Sequence, residues 1–406
     1  MSNMFPDDVQ TSSTSSTSGS SLLPQTESSD IVTLLNDSNN DAKRKVAEEE
    51  EEHRDENLSI HEDKRLKSKI QPPADAHVTI ETRRNRWMEA NKDICHQLTL
   101  EDVRNVKNNL APQWLMEHLM PYFGLKVQNP SLNQLCRERF IAEGVETVRL
   151  FLQQIGKRRE NGLSHVIVLS ILVKPGVFFG ESCNLIQDFS DCSSHLQPKV
   201  FLADDPLVWS EIFNNKNGNG NIPWIGAMAC GIPLRVDEDM LLETVSPNNP
   251  NLKILALDGI SNTANMGSII RCAAAFGIHA VVLSKDCCDP WYRRCVRVSM
   301  GYISKVPVMK LNGADMKGVI RKFRDKGIVS YAAVIDADLL LEDLNKGDVA
   351  RSWCCVLGNE ANGITQEVVD ECSHRLKVGM TKGVDSLSVA VAAGILLHGL
   401  VEKAER

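Results

Sequence analysis

The 406-residue sequence is poor in aromatics, at 5% with four tyrosines, and has no apolar run of the length a membrane span requires. Its most apolar stretch, Leu387 to Leu400, is broken by Ser388, Gly394 and His398. Twelve cysteines are present, yet no Cys-x-x-Cys occurs, and four of them stand as the adjacent pairs Cys287-Cys288 and Cys354-Cys355. That spacing argues against a zinc framework or a spaced disulfide scaffold and leaves buried thiols of a reducing compartment. Neither G-x-G-x-x-G nor G-x-x-x-x-G-K-[ST] appears, so no dinucleotide or Walker-type nucleotide fingerprint is available. Asp7 and Asp8 precede any basic residue, unlike an Arg-rich presequence, and the expected location is the cytoplasm with the nucleus as alternative.

The formal net charge of −8 argues at first against a nucleic-acid partner. Residues 1–80, however, hold 16 Asp and Glu against 8 Lys and Arg, and residues 253–406 hold 20 Lys and Arg against 17 Asp and Glu. A mildly basic C-terminal region is compatible with RNA, because phosphates need a local patch of cations and not a basic whole. The first eighty residues consist of a Ser/Thr run, an acidic run from Glu48 and a charged stretch ending at QPPADA. They cannot bury enough apolar surface to offset their ordering entropy, and a disordered tail is expected over 1–80.

From 81 to 130 the spacing predicts a helical extension, with Pro112 opening a helix. Arg83, Arg84 and Arg86 beside Trp87 read either as an exposed helix face or as an RNA contact. Residues 131–245 predict a small α/β module: FIAEGVETVRLFLQQI is helically spaced, whereas SHVIVLSILV, PKVFLADD and IPWIGAMACGIP read as strands. NNKNGNGN at 214–221 reads as a loop and VSPNNPN at 245–251 as a linker. Over 252–406, KILALDGI, HAVVLS, KVPVM, GIVSYAAVID, WCCVLG and HRLKVGM are short apolar runs separated by helical segments, the pattern of a mostly parallel sheet covered on both faces.

Ligands of such sheets bind beyond the carboxyl ends of the strands, where three loops here are rich in Gly and Asn. LDGISNTANMG opens the helix that carries Arg271; GNEANGIT follows WCCVL, with Thr365 as the expected N-cap of the next helix; TKGVDS leads into LSVAVAAGILLHGL, a small-residue helix suited to close packing. Singly these are turn glycines and caps. In this order and spacing they resemble the SpoU/TrmH family of RNA ribose 2′-O-methyltransferases, of the SPOUT class. Asn265, Gly267, Arg271, Ala273 and Gly277 match its first motif; Gly358, Asn359, Glu360 and Gly363 the second; Val378, Met380, Ser386, Leu387 and Val389 the third. Three positions depart from the third motif: Gly379 replaces Pro, Lys382 replaces Gly with Gly383 displaced, and Ser388 replaces Asn. FIAEGVETVR resembles the start of the family's substrate-binding module, and DPWYRRCVRVSMG the segment after its second strand.

The resemblance implies an α/β fold with a SPOUT-type parallel sheet and a C-terminal trefoil knot, preceded by a small substrate-binding domain, acting as a homodimer on tRNA or rRNA with S-adenosylmethionine as cofactor. It assigns catalysis to Arg271, Asn265, Glu360 and Ser388, and cofactor binding to Leu357, Gly358, Val378, Met380 and Leu387. Arg293, Arg294 and Arg297 become candidates for an RNA groove. A guanidinium is permanently protonated, so Arg271 fits a phosphate clamp and alkoxide stabiliser better than a general base; pairing with Glu360 to hold two loops together is the bland alternative. A non-catalytic RNA-binding assembly factor with the same fold is the second functional reading.

Overall fold

The structure, a computed structural model, describes residues 79–123, 139–155, 166–180, 185–192, 197–213, 226–233, 251–311, 315–384 and 386–404. Residues 1–78 of the expected tail and the loops at 214–221 and 245–250 lie outside the described residues, whereas Thr79 and Ile80, also assigned to that tail, begin a helix.

The first lobe begins with α1 (Ile80–Ala90), β1 (Cys95–Gln97), α2 (Leu100–Lys107) and α3 (Gln113–Leu119). It continues through β2 (Phe140–Glu143), α4 (Val145–Ile155), β3 (Val166–Val173), α5 (Pro175–Phe178) and α6 (Leu185–Ser190), and closes with β4 (Lys199–Leu202), α7 (Pro206–Ile212) and β5 (Ala227–Pro233). Its sheet has the order β1-β4-β3-β5-β2, with β1, β4 and β3 parallel and β5 antiparallel to both neighbours. Local chemistry sets the helix starts. Thr99 and Asp102 form a reciprocal capping box on α2, and Pro112 stands at the N-cap of α3. The region read as purely helical supplies a sheet strand as well: Cys95–Gln97 pair with Val200–Leu202. Three residues are too few to show a period of two. Trp87 turns inward, edge-on to Phe178, Phe179 and Phe189 at 5.1, 5.7 and 5.6 Å, and Arg84 bonds Gln97 at 2.5 Å. Those two are therefore committed to packing.

The second lobe runs β6 (Lys253–Asp258), α8 (Thr263–Ala275), β7 (Ala280–Leu283), α9 (Arg293–Val298), β8 (Val308–Lys310), α10 (Met316–Asp325), β9 (Val329–Ala333), β10 (Leu339–Leu340), β11 (Trp353–Gly358), α11 (Gln366–Glu371), β12 (His374–Lys377) and α12 (Val389–Ala404). All pairings in its sheet, ordered β10-β12-β9-β11-β6-β7-β8, are parallel. Helices cover both faces. On one, α10 buries Met316, Val319, Ile320 and Phe323 against Ile254, Val282 and Val356; on the other, α8 and α12 bury Ile269, Ile270, Leu396 and Leu400. Small residues let α12 come close: a Cβ on Gly394 would meet Cys272 Sγ at 3.7 Å, and one on Gly399 would meet Leu341 at 2.8 Å. β6 and β11 are neighbours from which the chain winds in opposite directions, so the topological switch point lies between them.

One hydrophobic cluster spans both lobes, with Phe140 stacked on Phe151 at 4.7 Å and facing Trp291 at 5.1 Å. At this seam the Glu143 side chain, 2% exposed, pairs with Arg293 and lies 4.0 Å from Arg297. Arg293 thus holds the lobes together instead of lining an RNA groove. A buried carboxylate deprived of its partner is costly, so Arg293→Ala should lower unfolding free energy by about 3 kcal/mol in urea titrations. Adding Glu143→Gln should recover most of that loss, whereas equal loss in the single and double variants would remove the ion pair as its cause.

Candidate active site at the switch point

β6 and β11 are in register from Lys253 opposite Trp353 to Asp258 opposite Gly358, so their loops leave the sheet side by side. Asn262 caps α8, its Oδ1 accepting the N–H groups of Ala264 at 2.8 Å and Asn265 at 3.2 Å. Asn359 organises the second loop: its Oδ1 accepts the N–H of Ala361 at 2.8 Å, its backbone exchanges two bonds with Gly363, and its Nδ2 donates to Gly259 O at 2.7 Å. Gly363, at φ 70°, supplies the left-handed turn that this closure needs. Asp258 is buried and accepts from both the N–H and the hydroxyl of Thr365, at 2.9 and 2.8 Å. Thr365 does occupy the N-cap of α11, but its hydroxyl ties the two loops together and does not cap the helix.

Two of the predicted catalytic residues meet directly, Asn265 Nδ2 donating to Glu360 Oε1. Beside them a cavity of about 700 Å³ is lined by Leu357, Gly358, Glu360, Val378, Met380, Leu387 and Ser388, and also by Ile335 and Asp336 beyond β9. The five predicted cofactor-binding residues therefore share one cavity with Glu360 and Ser388. Ser388 is exposed at the start of α12, its carbonyl accepting the N–H groups of Val391 and Ala392 at 2.9 Å each. Where the family pattern has proline, Gly379 donates its N–H to Glu342 Oε2 at 3.2 Å, a bond no proline could make.

Arg271 is the ninth residue of α8, two turns in and not at its head. It is exposed and makes no hydrogen bond or ion pair with any described residue; Glu360 pairs with Asn265 instead. It does not line the cavity. α9 crosses α8 closely at Gly267, where a Cβ would fall 2.7 Å from Cys295 O and 2.8 Å from Val298 Cβ. Arg294 and Arg297 lie exposed on α9. Ile335, Asp336, Asp258 and Glu143 escape sequence reasoning, although an acid closing an apolar strand, as in KILALD, is a usable signal for a buried tether. Among the described residues no group of three or more His, Cys, Asp or Glu is placed to hold a metal.

The loop between β7 and α9 joins the same edge: Ser284 Oγ accepts from Gly259 N at 2.9 Å, and Cys288 N donates to Ile260 O at 2.9 Å. A hydrogen bond from Cys295 holds the Cys288 thiol below the usual thiol range, while that bond and burial push Cys295 up. A lowered pKa means thiolate at lower pH. Iodoacetamide should therefore alkylate Cys288 at lower pH than an ordinary thiol, as read by peptide mass spectrometry, and Cys295→Ala should move the profile up.

Fold and loops together define an architecture of parallel sheet and paired switch-point loops. Residues 253–398 match the model of the SpoU rRNA Methylase family. An uncharacterized tRNA/rRNA methyltransferase of Synechocystis sp. is 29% identical over 144 residues, 36% of this chain and 51% of the relative; the chain spans about half the length of that relative. Among solved structures, the SpoU methyltransferase AviRb of Streptomyces viridochromogenes in complex with AdoMet is 18% identical with a TM-score of 0.52, covering 70% of this chain and 96% of that one. An RNA 2′-O ribose methyltransferase is likewise 18% identical, with a TM-score of 0.51 over 72% of this chain and 96% of its own. At such identity the two structures establish the fold.

Proposed function

We propose that this protein transfers a methyl group from S-adenosylmethionine to a ribose 2′-hydroxyl of structured RNA, tRNA or rRNA. The observation that carries the reading is the joining of Asn265 and Glu360 at the rim of a cavity lined by Leu357, Gly358, Val378, Met380 and Leu387. The cofactor fits the donor set: apolar side chains suit an adenine face, the cavity volume of about 700 Å³ lies in the range of small-molecule sites, and exposed main chain in the 358–364 loop offers polar groups. When bound, it supplies an electrophilic methyl on a sulfonium. The protein's part is then to bring a 2′-oxygen into line and ease its developing negative charge. Arg271, a guanidinium with no hydrogen-bond or ionic partner among the described residues, is suited to clamp a neighbouring phosphate and to stabilise that oxygen. Glu360, held by Asn265, keeps the second loop against the first, and Ser388 lines the same cavity.

The C-terminal route supports the expected knot: after β12, which lies between β10 and β9, the chain lines the cavity at 378–389 and returns as α12 against α8. For the expected homodimer, α12 exposes Val391 and Ile395, and Ile395 borders an apolar groove with Phe276 and Leu341. The test is transfer of labelled methyl to total RNA from cells lacking the protein, followed by nucleoside analysis. Label in a 2′-O-methylated nucleoside supports the reading. Label in a base refutes the ribose assignment, and cofactor binding without any transfer favours the assembly-factor reading, for which Ser388 is the motivating residue.

A further inference from the structure

The segment Trp291 to Met300 sorts its side chains by direction. Trp291 packs inward on Phe140, Arg293 turns to buried Glu143, and Cys295 and Val296 are buried. Tyr292, Arg294, Arg297 and Met300 face solvent, Tyr292 at 53% and Met300 at 41% exposure. In a chain with four tyrosines, one is left half exposed at the edge that carries the motif loops. Among the described residues nothing stacks on that ring or bonds its hydroxyl, and Arg294 has no ionic partner. Arg297 keeps most of its charge outward, 59% exposed and 4.0 Å from a carboxylate that Arg293 already engages. At Met300 the chain takes φ 54°, an uncommon conformation for a non-glycine residue, and the turn with Gly301 leaves that side chain exposed as well.

We propose that Tyr292 is a stacking platform for an unpaired base of the RNA substrate, with Arg294 and Arg297 holding the phosphates on either side of that nucleotide. An exposed aromatic flanked by outward arginines is the chemistry of single-stranded RNA recognition, since every base has a π-face and every linkage a charge. Arginine also binds phosphate through a planar fork. The surface is well placed for this role, because α9 touches the second turn of α8 at Gly267, four residues before Arg271, and RNA lying along α9 brings a neighbouring ribose toward that cation. Glu143 acts through Arg293, fixing α9 so that Tyr292 and Arg294 stay outward. This inference rests on the proposed RNA substrate but not on methyl transfer.

The experiment is filter binding of total tRNA and fragmented rRNA by the full chain across a salt series, with calorimetry of S-adenosylmethionine binding on the same samples. Tyr292→Ala should weaken RNA retention about tenfold with an unchanged salt slope, and Tyr292→Phe should retain wild-type binding, because stacking uses the ring and not the hydroxyl. Arg294→Gln with Arg297→Gln should reduce the salt slope by about two. Cofactor binding and melting temperature should stay at wild-type values throughout. Wild-type RNA affinity in Tyr292→Ala, or equal loss in Phe and Ala, overturns the platform, as does a wild-type protein that retains no RNA. RNA retained in the expected pattern without cofactor binding would sink the methyltransferase reading and leave the surface standing.

Discussion

Arg271→Ala should lower methyl transfer by about 10² to 10³-fold, the usual cost of removing a preorganised group that stabilises developing negative charge. S-adenosylmethionine affinity should be unchanged, because Arg271 does not line the cavity that the cofactor would fill. Melting temperature should be unchanged too, since the side chain is exposed and has no hydrogen-bond or ionic partner among the described residues. Arg271→Lys should restore only part of the rate, the ammonium keeping the charge but losing the fork. Calorimetry with cofactor and single-turnover transfer on one preparation separate these effects. A parallel loss of cofactor affinity and thermal stability would make Arg271 a structural residue and leave the chemistry without its cation.

Gly358→Ala is expected to abolish cofactor binding and to destabilise the second lobe. A Cβ there would collide with the main chain of Gly363 and Ile364, and neither backbone can swing aside as a side-chain tip would. Asn359 and Gly363 are bonded to each other in both directions, and Thr365 is anchored on Asp258, so the loop has to shift as a body. Overpacking of this kind costs about 1–3 kcal/mol and, by moving the wall that carries Leu357 and Glu360, closes the cavity. Gly347→Ala makes a control for glycine substitution away from the site: it also has positive φ, but no atom lies within 4 Å of its Cβ position. Wild-type cofactor affinity in Gly358→Ala would show that the loop yields and that the tight approach at Gly358 has no part in binding.

Much of this was legible in the sequence because parallel strands buried on both faces announce themselves as continuous apolar runs. WCCVLG is β11 residue for residue, and KILALD and HAVVL mark β6 and β7. The small-residue run starting at Val389 is α12. The cavity walls were legible through loop chemistry, since Gly358 and Gly363 had no reason to stand where they do other than a tight turn. Contacts between distant segments were not legible. Nothing in FIAEG says that Glu143 will meet Arg293 across 150 residues, so three arginines that read as one RNA-facing group divide into a tether and an outward pair. Trp291 and Tyr292 adjoin in sequence, and only the seam at Phe140 decides which is buried. The strand Cys95–Gln97 was hidden for a local reason, being too short for its alternation to register.

The pairing of β6 with β11 also governs when the second lobe can be complete. These strands are central neighbours in the sheet, yet 100 residues of chain separate Lys253 from Trp353. Most cavity-lining residues come later still, from 357 to 396. Closing so long a loop is entropically expensive before any contact rewards it, which makes this ladder a late event in folding. A nascent chain that has emerged only through β8 holds Asn265 and Arg271 but neither Glu360 nor any residue that lines the cavity. Pocket assembly thereby waits until α12 has left the ribosome, and whatever the pocket takes is a ligand of the finished lobe alone.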